Sequence, residues 1–200
     1  MKIHLPLHLA YLGLIACACS PAPATVTDMP LVRDSRSPFH IVHAADAPRS
    51  VRTAAQELQR YVERSTSAKL PITAGDAPAR SPFIVLGDTP AARAAGISTA
   101  DLPLEGFRLL SRDGNLFIVG FDTRDGETTP EGGTSTGRLN GVYTFLEDYL
   151  NVRWLLPGPL GEDVPSQATV IVPAMDRTEQ PLFRNRRLPG VQNTQPSVLE

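Results

Sequence analysis

Residues 136–165, TGRLNGVYTFLEDYLNVRWLLPGPLGEDVP, decide how the chain is read. Leu139, Val142, Tyr143, Leu146, Tyr149 and Leu150 recur at helical spacing and form one apolar stripe. Thr136 stands where a helix N-cap belongs. The helix runs into Val152-Arg153-Trp154-Leu155-Leu156, which reads as a short buried strand, and then into a Pro/Gly-rich exit loop.

Working outward, the same helical template appears once more. Val51, Ala54, Ala55, Leu58, Tyr61 and Val62 share the spacing, while Arg49, Arg52, Gln56, Glu57, Gln59, Arg60 and Glu63 take the wet side. Asp46 is the expected cap of this helix, with Pro48 in its first turn. Phe39-His40-Ile41-Val42-His43 reads as a strand before it. Leu70-Pro71-Ile72-Thr73 reads as an edge strand, because proline cannot serve a central ladder. The continuous run Phe83-Ile84-Val85-Leu86 reads as a central strand. Asp113-Gly114 between the apolar runs 105–110 and 115–120 signals a hairpin. Thr169-Val170-Ile171-Val172 closes the set. The order β-α-β-β-β-β-α-β-β predicts an α+β fold in which two helices cover a mixed sheet.

The amino terminus reads as an export signal rather than as part of the fold. Lys2 supplies the positive end and residues 5–15 the apolar stretch, which falls short of the roughly 20 residues that span a bilayer. Leu14-Ile15-Ala16-Cys17 resembles a bacterial lipobox, which makes Cys17 the expected lipid-attachment site. The expected organisation is a signal peptide over residues 1–16, a flexible tether over 17–37, a folded domain over 38–173 and a linker over 174–200. Both cysteines lie in the signal region, so the folded body has no disulfide or thiolate metal site. Removing Lys2 with the leader takes the formal net charge from −2 to −3, which offers no basic surface for nucleic acid.

Several blocks together carry a resemblance: the helix AAQELQRYVER, Ile84-Val85-Leu86-Gly87, Glu105-Gly106-Phe107, Gly141-Val142-Tyr143-Thr144-Phe145-Leu146-Glu147, Val152-Arg153-Trp154 and Pro157-Gly158. In order and spacing they resemble the small α/β domain that precedes the catalytic barrel in xylan α-glucuronidases, β-hexosaminidases and related glycoside hydrolases. The resemblance implies a mixed sheet with both amphipathic helices on one face, followed by the start of a (β/α)₈ barrel whose body would lie beyond Glu200. It implies that the barrel carries the catalytic carboxylates and that residues 1–200 contain none. Pro181-Leu182-Phe183-Arg184-Asn185-Arg186 is similar to the Pro-x-Phe-x-x-Arg that opens the first barrel strand in the hexosaminidase-like enzymes. By that match Arg186 is the candidate substrate-binding residue, its guanidinium fork suiting vicinal hydroxyls or a carboxylate. Arg187 follows it, where that family often has glycine.

The remaining candidates read as structural. Glu162-Asp163 is an adjacent carboxylate pair in a Gly/Pro loop, and glycosidases need two carboxylates facing each other at roughly 5 to 9.5 Å. Glu147 and Asp148 read as a solvated helix face, and Trp154 as core. His40 and His43 alternate across a strand and do not converge on a metal. There is no His-Glu-x-x-His motif, no nucleophile elbow and no phosphate-cradle spacing, and no cofactor is expected. Two functions follow as expectations. One is a non-catalytic accessory domain of a membrane-anchored glycoside hydrolase; the other is a stand-alone glycan-binding or scaffold lipoprotein. The expected partners are the membrane through the lipid anchor, a downstream catalytic barrel and a glycan. The expected location is the bacterial cell envelope.

Overall fold

The computed structural model describes residues 28–75, 82–130 and 132–183. In chain order its elements are β1 (Met29–Val32), β2 (His40–His43), α1 (Arg49–Thr66), β3 (Ile72–Ala74), β4 (Phe83–Leu86), α2 (Pro90–Ala94), β5 (Phe107–Arg112), β6 (Asn115–Gly120), α3 (Gly137–Leu150), β7 (Arg153–Trp154), β8 (Glu162–Asp163), β9 (Val170–Val172) and β10 (Asp176–Glu179). Six strands form one mixed sheet in the order β10-β5-β6-β4-β2-β3. Strands β6, β4, β2 and β3 run parallel, and β5 and β10 run antiparallel to their neighbours. The fold is therefore α+β with a mixed sheet, as the residue pattern predicts.

Strand alternation sorts the two faces. Ile41, Ile84, Leu86, Phe107, Leu109, Leu116 and Ile118 point to one side and are buried under α1 and α3, which lie together on that face. The stripe read from the sequence is the face they bury: Val51, Ala54, Ala55, Leu58, Tyr61 and Val62 of α1 are all buried. Each fully buried large aliphatic side chain contributes about 1.5–3 kcal/mol. On the opposite side Val85, Leu110, Phe117 and Val119 pack with Ala92 and Ile97, under the short helix α2 and the turn after it.

β3, which starts directly after Pro71, is at the sheet edge beside β2, and all-apolar β4 is central between β6 and β2. The hairpin turn holds Asp113 at φ 51° and Gly114 at φ 73°, the pair of positive angles that a two-residue turn matched to strand twist requires.

Five expectations need correction. Met29–Val32, inside the stretch read as tether, is a strand paired with β9. Asp176–Glu179, inside the stretch read as linker, is the strand β10 on the edge of the main sheet. The helix α2 was not expected, although Thr89 caps it by accepting from Ala92 N at 3.2 Å and Pro90 opens it. Residues 152–156 do not form a buried strand: β7 has two residues, pairs only with β8, and leaves Leu155 and Leu156 exposed. Neither Asp46 nor Thr136 caps a helix with its side chain. Cys17 and Arg186 lie outside the described residues.

α3 approaches the sheet through Gly141. A Cβ there would sit 2.9 Å from Ile118 Cγ2 and 3.1 Å from the Phe107 ring, both in the packed core. Alanine raises helix propensity by about 1 kcal/mol, but overpacking costs about 1–3 kcal/mol. Gly141→Ala is expected to lower stability by about 1 kcal/mol net, read as a lower urea midpoint at unchanged slope. A raised midpoint would contradict the close approach.

Candidate functional site

Three parallel strands end at the same rim. The chain leaves β2 into α1 on one face and leaves β4 toward α2 on the other. Strand ends that send their connections to opposite faces open a crevice, the usual ligand position in parallel sheets. A pocket of about 440 Å³ occupies it. Ala44 and Asp46 line it after β2, Leu86 and Asp88 after β4, and Asp122, Arg124 and Asp125 after β6. Pro48, Val51 and Arg52 of α1 and Arg138 of α3 close its sides.

Asp122 is the fixed point of this pocket. Its side chain has no solvent exposure, and that of Arg138 retains 12%. The carboxylate accepts from Ser50 Oγ at 3.2 Å and from Arg138 N at 3.3 Å, and it faces Arg138 Nε at 3.4 Å. Asp122 thus supplies the anion that the α3 N-terminus needs, the part expected of Thr136. Asp125 does the same for α1, accepting from Arg49 N at 2.8 Å, where Asp46 was expected.

Burial pushes the Asp122 carboxyl up, against the downward pull of Arg138 and of its hydrogen bonds. Burial also pulls the Arg138 guanidinium down, against the opposing pull of Asp122 and Asp88. For both partners burial is the largest influence, and removing either one alone would leave the other buried without its counter-charge. The guanidinium lies against the backbone of Gly87, where any Cβ would collide with it. Gly87 also has φ 89°, so two constraints select glycine at the end of β4.

The candidates read from sequence lie elsewhere. Glu162 sits in β8 and receives Arg60 and Arg64 from α1, the first at 3.5 Å. Asp163, next on the strand, pairs in register with Arg153. Asp148 is bound by Arg177 of β10 at 2.6 Å. His43 is buried with its Nδ1 2.8 Å from Ala44 O. Trp154 is half-buried, donates from Nε1 to Tyr61 Oη at 2.9 Å, and stands edge-on to Tyr61 and Tyr143 at 5.1 and 5.0 Å. Burial and Glu57 push the Tyr143 hydroxyl up to about 12, so it remains a donor at neutral pH. Among the described residues, no three His, Cys, Asp or Glu side chains are placed to hold a metal ion. No helix among them is long and apolar enough to cross a membrane.

The pocket residues Asp122 and Arg138 were not singled out from the sequence. The available signal was an aspartate two residues beyond an apolar strand and ahead of a helix, with an arginine in that helix's first turn.

No family model and no curated protein sequence matches the chain. Solved structures of glycoside hydrolases are similar over part of it. The GH115 4-O-methyl-α-glucuronidase BtGH115A, described as specific for decorated arabinogalactans, aligns with 76% of this chain at 17% identity and TM-score 0.48. The GH20 β-N-acetylhexosaminidase of Streptomyces coelicolor A3(2) aligns with 81% at 18% identity and TM-score 0.48. The Flavobacterium johnsoniae chitobiase aligns with 82% at 14% identity and TM-score 0.41. Likeness at this level carries no argument about activity. The chain spans 18%, 25% and 20% of those three proteins.

Two predictions follow from the electrostatics. Asp122→Ala leaves Arg138 buried and unpaired and is expected to cost about 3–5 kcal/mol. Asp125→Ala, at an exposed cap, is expected to cost about 1 kcal/mol. Chemical denaturation should rank them in that order, and equal costs would remove Asp122 from its central place. Glu162 is held below its ordinary value of 4.5 chiefly by Arg64, and Asp176 below 3.8 chiefly by Arg108. A depressed carboxyl stabilises above its unfolded value and loses that contribution as pH falls through its folded value. Glu162→Gln should therefore flatten the fall in Tm on acidifying below about pH 4.5, and Asp176→Asn below about pH 3.8. An unchanged slope would show these ion pairs to be thermodynamically silent.

Proposed function

We propose that this chain is the non-catalytic accessory domain of a carbohydrate-degrading hydrolase, held at the cell envelope by a lipid on Cys17. The observation that carries the docking role is the loop between β7 and β8. It exposes Leu155 at 72%, Leu156 at 68% and Leu160 at 103%. Exposed leucines grouped on one loop mark a surface that another folded body covers.

The loop is braced rather than loose. Leu155 N donates to Gly161 O at 2.7 Å and Gly161 N to Gly158 O at 3.0 Å. A Cβ at Gly161 would strike the Leu156 backbone, and Trp154 anchors the loop's base to Tyr61. Such a loop presents its leucines at low entropic cost on docking. The sugar context comes from the sequence resemblance. Two carboxylates among the described residues are taken up by the fold itself. Glu162 is tied to arginines rather than facing a second carboxylate, and Asp122 has no exposed surface with which to meet a substrate.

The purified chain is expected to release nothing from aryl N-acetylglucosaminides or glucuronoxylan oligomers, and turnover of either would overturn the reading. An antibody against residues 44–73 should detect, in the membrane fraction, a protein several times larger than 21.6 kDa. A band near that mass would favour the stand-alone lipoprotein instead. In the larger protein, replacing Leu155, Leu156 and Leu160 together by serine should speed proteolytic separation of this domain. Stability of the domain itself should change by less than about 0.5 kcal/mol per site.

A further inference from the structure

We propose that the pocket between the ends of β2 and β4 binds a small hydroxycarboxylate, its carboxylate on Arg138 and Arg124 and its hydroxyls on Asp46 and Asp88. This goes beyond an accessory docking role, because it gives the domain a ligand of its own.

The first observation is an arginine paired with Asp122 but not hydrogen-bonded through its guanidinium. A guanidinium has five N–H donors in a fixed fork. That of Arg138 is almost wholly buried, touches Asp122 through Nε at 3.4 Å, and makes no hydrogen bond to any described residue. Asp122 is directed elsewhere, since its hydrogen bonds come from Ser50 Oγ and the Arg138 backbone. Nε faces Asp122, and the two terminal nitrogens, which have no hydrogen bond to a described residue, are the donors a planar carboxylate could take at the pocket wall. Arg124 is the second cation. It is exposed at the rim, and its side chain has no hydrogen-bond or ion-pair partner among the described residues.

The second observation argues against the polyanions that strand-end crevices often hold. Phosphate groups are taken by free N–H groups at helix N-termini. Here the chain's own carboxylates are already there, Asp125 on Arg49 N and Asp122 on Arg138 N. Val51 N and Arg52 N both donate to Pro48 O. Four aspartates (46, 88, 122 and 125) stand against three arginines (52, 124 and 138) around the pocket. That balance disfavours a dianion about twice as strongly as a single carboxylate, so a bound carboxylate must be held by direct contact with the arginines.

The third observation is the polar lining left over. Asp46 is exposed with no side-chain partner among the described residues, and Asp88 meets only Arg93 at 2.7 Å. Both are acceptor-only groups with spare lone pairs, which suit ligand hydroxyls. A volume of about 440 Å³ accommodates a six-carbon acid together with bridging water.

The test is calorimetric titration of the full chain with gluconate, run beside sorbitol, hexanoate and inorganic phosphate. Sorbitol has the hydroxyls without the charge, and hexanoate the charge without the hydroxyls. Saturable gluconate binding, at least about tenfold tighter than the other three, is expected. Arg124→Ala should weaken gluconate about tenfold at an unchanged urea midpoint, because the residue is exposed and unbonded. Asp46→Asn should bring gluconate closer to hexanoate. Arg138→Lys keeps the charge facing Asp122 but loses the fork, and where it folds it should abolish binding. No heat with gluconate, equal binding of phosphate, or insensitivity to Arg124→Ala would each overturn the proposal. These outcomes are separate from the hydrolase reading, which depends on docking and on the absence of turnover.

Discussion

A single buried carboxylate couples four elements of this domain. Asp122 follows β6, receives Ser50 from α1, caps α3 through Arg138 N, and faces the guanidinium that lies on Gly87 at the end of β4. Every partner is at the same end of the parallel strands. The carboxyl is pushed up and the guanidinium pulled down by the same burial, so the arrangement holds only where all its contacts are made together. It caps the start of α3 and ties the first turn of α1 to it through Ser50, while Asp125 caps α1 itself, and these starting points set how the apolar stripes meet the sheet.

The other end of the helix layer is fixed by a different chemistry. Trp154 meets Tyr61 and Tyr143 edge-on and donates to the Tyr61 hydroxyl, joining α1, α3 and β7. Arg60 and Arg64 lie over the Tyr61 ring while both reach Glu162 of β8. The result is a stiff base from which the Leu155, Leu156 and Leu160 loop projects. The domain therefore has a charged hollow at the strand ends and a separate apolar projection carried on the aromatic base. A body docked on the leucines need not cover the pocket lining, because no residue is common to the two surfaces.

Parts of the molecule were legible in the sequence because their causes are local. Helical stripes, the apolar run of β4, the proline just before β3 and the Asp-Gly turn each follow from periodicity or backbone preference within a few residues. β10 was not legible, since Asp176-Arg177-Thr178-Glu179 has no apolar alternation; it is held by ladder bonds and by Arg108 gripping Asp176 at 2.7 and 2.8 Å. β1 was hidden by its place after a polar stretch, and its role depends on pairing with β9 well over a hundred residues away. α2 did carry a local signature, Thr89 then Pro90, but it is too short to show a stripe. Leu155 and Leu156 looked like core by composition alone, which cannot distinguish a buried strand from an exposed loop.

The sequence by itself determined the fold class, the two long helices with their buried faces, and the hairpin, because hydrophobic period and turn chemistry are written in neighbouring residues. Only the tertiary structure decided which groups cap those helices and which residues form the pocket. Asp46 and Thr136 were the nearest capping residues, yet Asp125 and Asp122 hold the two N-termini. The strand ends of β2, β4 and β6 bring the loop after β6 across both helix starts, and a buried carboxylate ordered there by several donors at once displaces a local cap that would have to be ordered alone. Chain separation disappears at that rim, and with it the evidence a linear reading depends on.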